Sequence, residues 1–161
     1  PVIIDADGLN IISKFPKIKL PKNVIFTPHV AEAARLSGQK VEDILRNPRF
    51  TAKKITEKYG CTTVLKSHKT VVCSKDEKIY TNNTGNSALS KAGTGDVLCG
   101  MIAGFSAQKM EPFEAASLAV YLHGRAGEIA SEELTEYSVL ASDLLKYIPM
   151  AIKEMLVSNL S

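Results

Sequence analysis

The chain has 161 residues, of which 45% are apolar and 23% charged, and its 20 basic and 17 acidic side chains give a net charge of +3. This mixture is typical of a globular protein and excludes a disordered or fibrous chain, and the length suits one domain or part of one. The basic side chains are scattered along the sequence, so the charge does not predict nucleic-acid binding.

Short β-branched runs and polar turns mark the predicted strands. Five strands are expected, at residues 2–4, 24–27, 62–65, 70–73 and 78–81. The polar residues 5–8 predict a loop after the first strand. The polar residues 74–77 predict a turn that joins the last two strands into a β-hairpin.

Helices are predicted from apolar spacing, prolines and terminal glycines. They are expected over 29–37, 41–46, 47–60, from the glycines at 93–95 to about 109, over 112–133, and from 143 onward with Ser142 as N-cap. Pro149 lies inside the last pattern and predicts a kink or a split.

The order of these elements predicts the fold class. Strands alternate with helices in the first half and helices dominate the second, so we expect a layered α/β fold with a mainly parallel sheet. Only three strands of the parallel kind are visible, and the sequence opens directly in a strand pattern at Pro1, without Met. We therefore expect residues 1–161 to be the later part of a longer domain whose upstream strands are absent.

Cysteine usage and hydropathy indicate the cellular compartment. The chain has three cysteines, Cys61, Cys73 and Cys99, and no C-x-x-C pair. This pattern predicts reduced, buried thiols in a cytoplasmic protein. The most apolar run, residues 97–107, is too short to cross a bilayer, and no signal peptide is evident, so no membrane association is expected.

A glycine-rich segment, residues 92–96, precedes the predicted apolar helix. Gly93 and Gly95 let backbone amides approach a ligand closely, and a helix start is a natural phosphate site. A carboxylate in its first turn, Asp96, could accept the proton of an attacking hydroxyl while the amides stabilise charge on the phosphoryl group. The segment is neither a P-loop nor G-x-G-x-x-G. Taken alone, it is equally compatible with a glycine-rich turn.

Other polar residues lie beside predicted strand ends. Lys66 follows a strand, so its ammonium should emerge at the carboxyl edge of the sheet, where α/β proteins bind ligands. Asp5 and Asp7 could orient Mg²⁺-bound waters or phosphates, or they could be loop caps. Asn86 follows Gly85 in a predicted turn, which suffices to explain it. His123 is predicted to be a packed core histidine.

Five segments together resemble one family. They are residues 91–100, Thr27-Pro28-His29 with Glu32, Val64-Leu65-Lys66, Thr84-Gly85-Asn86 and Tyr121-Leu122-His123-Gly124. In this order they are similar to the ADP/ATP-dependent NAD(P)H-hydrate (NAD(P)HX) dehydratases of the ribokinase-like superfamily. The resemblance covers about residues 5–127 and implies a three-layer α/β/α ribokinase-like fold.

The resemblance also implies a reaction, its donor and its partners. A nucleotide, ADP in most bacterial members or else ATP, phosphorylates the ring hydroxyl of NADHX or NADPHX, and loss of phosphate restores NAD(P)H. Mg²⁺ is expected with either donor. Many members form homo-oligomers, and bacterial members often carry an NAD(P)HX epimerase domain upstream.

The family's functional residues transfer to positions of this chain. The resemblance implies that Asp96 is the base and a substrate contact, and that His29 contacts the substrate. Nucleotide contacts are implied for a loop after a strand and for the glycine-rich segment: Lys66, Ser67, His68, Lys69, Thr70, Gly93, Thr94 and Gly95. Asp5, Asp7 and Asn86 are candidates for the phosphate or metal environment.

Three positions depart from the family pattern. Ala92 and Ser67 stand where the family usually has glycine, and Lys91 stands where it often has Thr or Ser. Ala92 requires an ordinary φ, and Lys91 is interpreted as a solvated lysine rather than a phosphate ligand. The departures leave the choice between ADP and ATP open.

Two alternatives to a dehydratase remain at this point. A ribokinase-like kinase of a vitamin precursor or sugar would share the fold, but the pyrimidine and thiazole kinases carry Cys where Asp96 stands, and sugar kinases lack the Thr-Pro-His and Tyr-Leu-His-Gly segments. A non-catalytic nucleotide-binding module is the second alternative.

Overall fold

In a computed structural model, the backbone is described for residues 1–15 and 17–158. The strands in this part of the chain are β1 Val2–Ile4, β2 Val24–Phe26, β3 Thr62–Leu65, β4 Val71–Cys73 and β5 Ile79–Thr81. The helices are α1 Ala6–Lys14, α2 Val30–Ser37, α3 Val41–Arg46, α4 Pro48–Tyr59, α5 Thr94–Ala107, α6 Pro112–Ser138 and α7 Ala141–Ser158, with a 3₁₀ helix at Ser87–Ser90.

The chain divides into two units. Unit 1 comprises Pro1–Asn82 and Ile102–Ser117, and unit 2 comprises Asn83–Met101 and the chain from Leu118 onward. The division falls within α5 and within α6, and the sheet belongs to unit 1. No helix in the described residues is both long enough and apolar enough to cross a membrane.

The sheet of unit 1 follows the chain order, β1-β2-β3-β4-β5. β1, β2 and β3 pair in parallel, as expected from the sequence, whereas β3, β4 and β5 pair antiparallel through the predicted hairpin. The sheet is therefore mixed. β2, β3 and β4 are buried throughout, which explains why they read as continuous apolar or β-branched runs rather than alternating ones.

An apolar cluster forms one part of the core of unit 1. It is built from residues of the sheet and of α1, α2, α3 and α4 and the adjoining Cys61: Leu9, Ile12, Val24, Phe26, Ala33, Leu36, Ile44, Ala52, Ile55, Tyr59, Cys61, Leu65, Val71 and Cys73. The rings of Phe26 and Tyr59 lie 5.4 Å apart between centroids. Complete burial of a side chain such as Phe26 contributes roughly 1.5–3 kcal/mol of hydrophobic free energy. This core fixes the strand ends that carry the candidate polar residues.

The ends of α2 and α4 confirm the sequence predictions. α2 begins after His29 and ends at Gly38, whose φ of 71° is left-handed. α4 begins after Asn47, whose side chain accepts a hydrogen bond from the Phe50 amide, and it ends at Gly60 with a φ of 61°. Glycine terminates both helices because it adopts this conformation without steric strain.

Two expectations about helix positions are wrong, and a third is wrong in part. Residues 5–8 are not a loop, since α1 begins at Ala6 and buries Leu9 and Ile12 three residues apart on one face. α7 begins at Ala141, so Ser142 lies inside its first turn instead of capping it. α7 also continues through Pro149 as one helix, with Leu144, Tyr147 and Ala151 buried on both sides of the proline, so the predicted split is wrong and the kink stays a prediction.

Candidate functional site

Polar residues follow all three parallel strands of unit 1 at the same edge of the sheet. Asp5 follows β1, Thr27 to His29 follow β2, and Lys66 follows β3. The Lys66 amide donates to Pro28 O at 2.8 Å, and His29 and Lys66 form an isolated parallel bridge. The main chain thus extends the β2–β3 pairing past the strands and places these residues together at the carboxyl edge.

Asp5 and Lys66 form an ion pair across the end of β2. Lys66 Nζ lies 3.0 Å from Asp5 Oδ1 and 3.3 Å from Asp5 Oδ2. The Lys66 side chain is 22% exposed and the Asp5 side chain 20%. The structure therefore confirms that the Lys66 ammonium reaches the carboxyl edge, and it brings one of the two candidate aspartates to it.

The other candidate aspartate, Asp7, lies apart from this pair. It is exposed in the first turn of α1, where the helix dipole favours a carboxylate. Asp5 and Asp7 point to different surroundings although they are two residues apart, because α1 starts between them.

His29 is the N-cap of α2. Its Nδ1 accepts hydrogen bonds from the amides of Ala31 at 3.1 Å and Glu32 at 3.4 Å, and Glu32 Oε2 accepts one from the His29 amide at 2.9 Å. This is a capping box with histidine in place of the usual serine or threonine. The His29 side chain remains 53% exposed, with Nε2 3.4 Å from Glu32 Oε1. The ring edge that carries Nε2 can therefore contact a ligand while Nδ1 holds the helix.

The loop after Lys66 is closed by its own hydrogen bonds. Ser67 Oγ donates to Lys69 O at 2.9 Å, and Thr70 Oγ1 donates to Ser67 O at 3.4 Å. His68 and Lys69 are exposed, as expected of loop residues. Residues 67–69 border a groove of about 210 Å³ whose other wall is apolar, formed by Val30, Ile44, Leu45 and Pro48.

In unit 2, the main chain positions Asp96. Gly93 has a φ of 89°, a left-handed conformation that suits glycine, and α5 starts at the next residue. Gly93 O accepts hydrogen bonds from the Asp96 and Val97 amides at 3.1 and 3.2 Å. The Gly95 amide has no acceptor in the part of the chain that the structure describes. The exposed Asp96 carboxylate and a donor amide therefore lie together in the first turn of α5.

Thr94 fastens this turn through its side chain. Its Oγ1 lies 2.7 Å from Leu89 O and 2.9 Å from Lys91 O, and it is buried. Thr94 O in turn lies 2.9 Å from Nε2 of His123, which is 7% exposed, so the prediction of a packed histidine is confirmed. The middle residue of Gly-Thr-Gly has structural contacts, whereas the first glycine, Gly93, provides the left-handed conformation.

Ala92 and Lys91, which precede this turn, are two of the positions that depart from the family pattern. Ala92 has an ordinary φ, as expected, since it is absent from the residues with positive φ. The interpretation of Lys91 as a solvated lysine is wrong. Its Nζ donates to Glu136 O, Tyr137 O and Val139 O at 3.1, 2.6 and 2.6 Å, so it caps carbonyls of the segment that follows Thr135, where a φ of 66° interrupts α6.

The Thr84-Gly85-Asn86 turn is attached to α6. Thr84 Oγ1 donates to Tyr121 O at 2.9 Å, and a Cβ at Gly124 would lie 2.1 Å from Thr84 Oγ1. Close approach at this point therefore requires the glycine of Tyr-Leu-His-Gly.

The Asn86 side chain forms hydrogen bonds with the main chain of the 3₁₀ helix and with α6. Its side chain accepts from the Ala88 amide at 3.1 Å, as the N-cap of the 3₁₀ helix, and donates to Ser131 Oγ at 3.1 Å. These contacts give Asn86 a sufficient structural role.

Sequence reasoning missed Glu128. Its Oε1 accepts a hydrogen bond from the Gly85 amide at 2.7 Å, and its other oxygen pairs with Arg125. Arg125 also pairs with Glu154, and these carboxylates, Glu154 first, raise its pKa. The i, i+3 spacing marks the pair with Arg125, but no local signal marks the contact with Gly85, which lies 43 residues earlier in the chain.

The cysteines form no disulfide, as expected. Cys61 and Cys73 are buried in unit 1, whereas Cys99 is half-buried. Burial raises the pKa of the Cys61 thiol to about 12, and burial likewise raises that of Cys73.

No three His, Cys, Asp or Glu side chains among the described residues are grouped closely enough to hold a metal ion. A Mg²⁺ ion that accompanies a nucleotide is held largely by phosphates and water and needs only one or two carboxylates from the protein. Asp5 lies at the sheet edge and pairs there with Lys66.

Comparison with protein families gives one match over most of the chain. The model of a family described as NAD(P)H-hydrate dehydratase matches residues 1–150. The ADP-dependent (S)-NAD(P)H-hydrate dehydratase of Neisseria meningitidis is 45% identical over 136 residues, which are 82% of this chain and 46% of that protein. The bifunctional NAD(P)H-hydrate repair enzyme of Moorella thermoacetica is 34% identical over 96% of this chain and 30% of its own length.

Solved structures show the same likeness. The ADP/ATP-dependent NAD(P)H-hydrate dehydratase from Bacillus subtilis, co-crystallised with ATP and Mg²⁺, matches with a TM-score of 0.86 at 36% identity over 96% of this chain and 55% of that one. Arabidopsis thaliana ribokinase matches with a TM-score of 0.52 at 18% identity, which confirms the ribokinase-like fold and nothing more. The chain spans about half of these relatives' length, or less.

Proposed function

The chain belongs to the NAD(P)H-hydrate dehydratase family, and on this premise we propose that it takes part in the nucleotide-dependent dehydration of hydrated NAD(P)H. The substrates are NADHX and NADPHX, the phosphoryl donor is ADP or ATP, and the product is NADH or NADPH. The family match over residues 1–150 is the observation that carries the proposal.

The reaction has two steps. The ring hydroxyl attacks the terminal phosphorus of the nucleotide, its proton passes to a base, and the bond between that phosphorus and the nucleotide oxygen breaks. The phosphate then leaves with the ring oxygen, the ring loses a proton, and the double bond returns.

We assign the base to Asp96. The observations that support it are an exposed carboxylate in the first turn of α5 and a neighbouring Gly95 amide with no acceptor among the described residues. A carboxylate at this place can receive the hydroxyl proton, and amides of the turn can stabilise charge on the phosphoryl oxygens. General base catalysis contributes about 10²–10⁴-fold to the rate. Gly93, Thr94 and Gly95 bind the nucleotide in this assignment.

Unit 1 contributes cationic and polar groups. Lys66 supplies a positive charge for the phosphates, and residues 67–70 provide polar contacts to the nucleotide. His29 contacts the hydrated substrate through its exposed ring edge, since its Nδ1 is engaged by α2.

Mg²⁺, when bound with the nucleotide, neutralises phosphate charge. Asp5, Asp7 and Asn86 are candidates for the phosphate or metal environment. Asn86 is already engaged by Ala88 and Ser131, which argues for its structural role.

The proposal includes the setting of the activity. Residues 1–161 form the C-terminal portion of a ribokinase-like domain, and a cytoplasmic homo-oligomer is proposed. An accompanying epimerase domain upstream is part of the proposal, and some relatives are bifunctional NAD(P)H-hydrate repair enzymes.

The test is recovery of reduced nucleotide by the intact protein. NADHX or NADPHX is incubated with Mg²⁺ and either ADP or ATP, and the absorbance band of NAD(P)H is followed. We expect the band to return only when the nucleotide is present. Phosphate transfer to another alcohol without return of the band would favour a kinase, and nucleotide binding without turnover would favour a non-catalytic module.

A further inference from the structure

The Asp5–Lys66 pair differs from the other lysine–carboxylate pairs of unit 1. Its side chains are 20% and 22% exposed, whereas those of Lys53–Glu77 are 41% and 74% exposed and those of Lys78–Glu114 are 55% and 48% exposed. A less exposed pair is less screened by water and salt, so it holds its geometry more firmly.

The Asp5 carboxylate also does not cap the helix that follows it. Asp5 occupies the N-cap position of α1, where an aspartate normally accepts hydrogen bonds from the first helix amides. Its side chain makes no such capping bond. Both of its oxygens instead lie within 3.3 Å of Lys66 Nζ.

Lys66 is held at both ends by these contacts. Its amide donates to Pro28 O, which fixes the backbone, and its ammonium is fixed by Asp5. A free lysine samples many rotamers, whereas this one keeps its charge at the carboxyl edge of the sheet.

We propose that Asp5 is a positioning residue for Lys66, whose ammonium it places for the phosphate group during transfer. The inference rests on the proposed function, which assigns Lys66 to the nucleotide. Loss of the Asp5 charge has two opposite effects on nucleotide binding: less repulsion of the phosphates, and a less ordered lysine. In the chemical step only the loss of order in Lys66 matters, because a misplaced stabilising charge slows phosphoryl transfer.

The test compares Asp5→Asn, Asp5→Glu and the control Glu114→Gln in the intact protein. For Asp5→Asn we expect kcat to fall about tenfold while the KM for ADP stays within about threefold of the wild type. Asp5→Glu, which keeps a carboxylate, should recover most of the loss. Glu114→Gln removes the same charge from the Lys78 pair and should retain the wild-type kcat.

A second readout is independent of turnover. Acylation of Lys66 by an amine reagent, quantified by mass spectrometry, should be at least about threefold faster in Asp5→Asn than in the wild type or in Glu114→Gln, because the ammonium loses its partner. Equal acylation rates, or an unchanged kcat in Asp5→Asn, would overturn the inference. The inference would also be overturned if Asp5→Glu and Asp5→Asn had the same reduced kcat and the same lowered melting temperature. Asp5 would then only support the fold. An inactive wild type would instead refute the proposed function. The acylation rates would then decide whether Asp5 positions Lys66.

Discussion

Unit 1 holds its candidate groups by pairing side chains with each other, whereas unit 2 holds Asp96 by the course of its main chain. Asp5 pairs with Lys66, and His29 is engaged with Glu32 and the start of α2. Asp96 is exposed, and its position follows from the φ of Gly93 and the anchored Thr94.

The difference has a practical consequence for mutagenesis. In unit 1, replacement of one side chain releases its partner, so chemistry and local order change together. In unit 2, the carboxylate of Asp96 can be removed without disturbing the turn that carries it. The two regions therefore separate catalytic effects from structural ones.

The largest effect is expected for Asp96→Asn. The amide is nearly the same size and the position is exposed, so the fold should persist, but the side chain can no longer accept the hydroxyl proton. Turnover should fall about 10²–10⁴-fold while nucleotide affinity remains close to that of the wild type. Steady-state kinetics with calorimetric titration of ADP measure both. An Asp96→Asn protein that keeps full activity would show that another group is the base.

Gly93→Ala should damage the main-chain arrangement of unit 2 directly. Alanine at a φ of 89° is strained, and its Cβ would lie 3.1 Å from that of Ala141. We expect the free energy of unfolding to fall by about 1–3 kcal/mol, as measured by denaturant titration. Gly100→Ala is the matched control, because a Cβ there has no neighbour within 4 Å and the residue is helical. Equal stability of the two variants would contradict a main-chain role for Gly93.

Lys91→Met should weaken unit 2 without touching Asp96. The variant keeps the aliphatic stem but loses the ammonium that serves three carbonyls of residues 136, 137 and 139. Because the site is partly exposed, we expect a loss of about 1–2 kcal/mol in unfolding free energy. Lys146→Met, at an exposed position of α7, serves as control. If the two variants unfold at the same denaturant concentration, the capping role of Lys91 is wrong.

The last effect is confined to alkaline pH and concerns the buried interior of unit 1. Burial raises the pKa of Cys61 from its usual 9.0 to about 12, so the folded protein keeps the thiol protonated where the unfolded chain ionises it. The stabilisation is complete below pH 9 and is lost as pH rises from about 9 to about 12. Unfolding free energy should therefore fall less steeply over this range in Cys61→Ala than in the wild type. Parallel pH profiles would indicate that Cys61 is accessible to water.

Local sequence signals predicted most of the fold because they act over a few residues. The five strands follow β-branched runs, and Gly38 and Gly60 end α2 and α4 where expected. The signals failed at Asp5, where buried Leu9 and Ile12 start a helix although residues 5–8 look like a loop.

The candidate site was predicted residue by residue but not contact by contact. Asp5 and Lys66 were both singled out, yet their pairing depends on strand order, since they lie 61 residues apart. The prediction for Lys91 was wrong and Glu128 was missed for the same reason. Lys91 contacts Glu136, 45 residues away, and Glu128 contacts Gly85, 43 residues away, and contacts at such separations produce no local sequence pattern.

The fate of the ring oxygen tests the central claim most directly. NADHX prepared with isotopically heavy oxygen in its ring hydroxyl is converted by the intact protein with ADP, and the products are analysed by mass spectrometry. If the hydroxyl is phosphorylated before it leaves, the heavy oxygen will appear in inorganic phosphate, in step with the return of NADH. Heavy oxygen in water instead, or no return of NADH at all, would contradict the account.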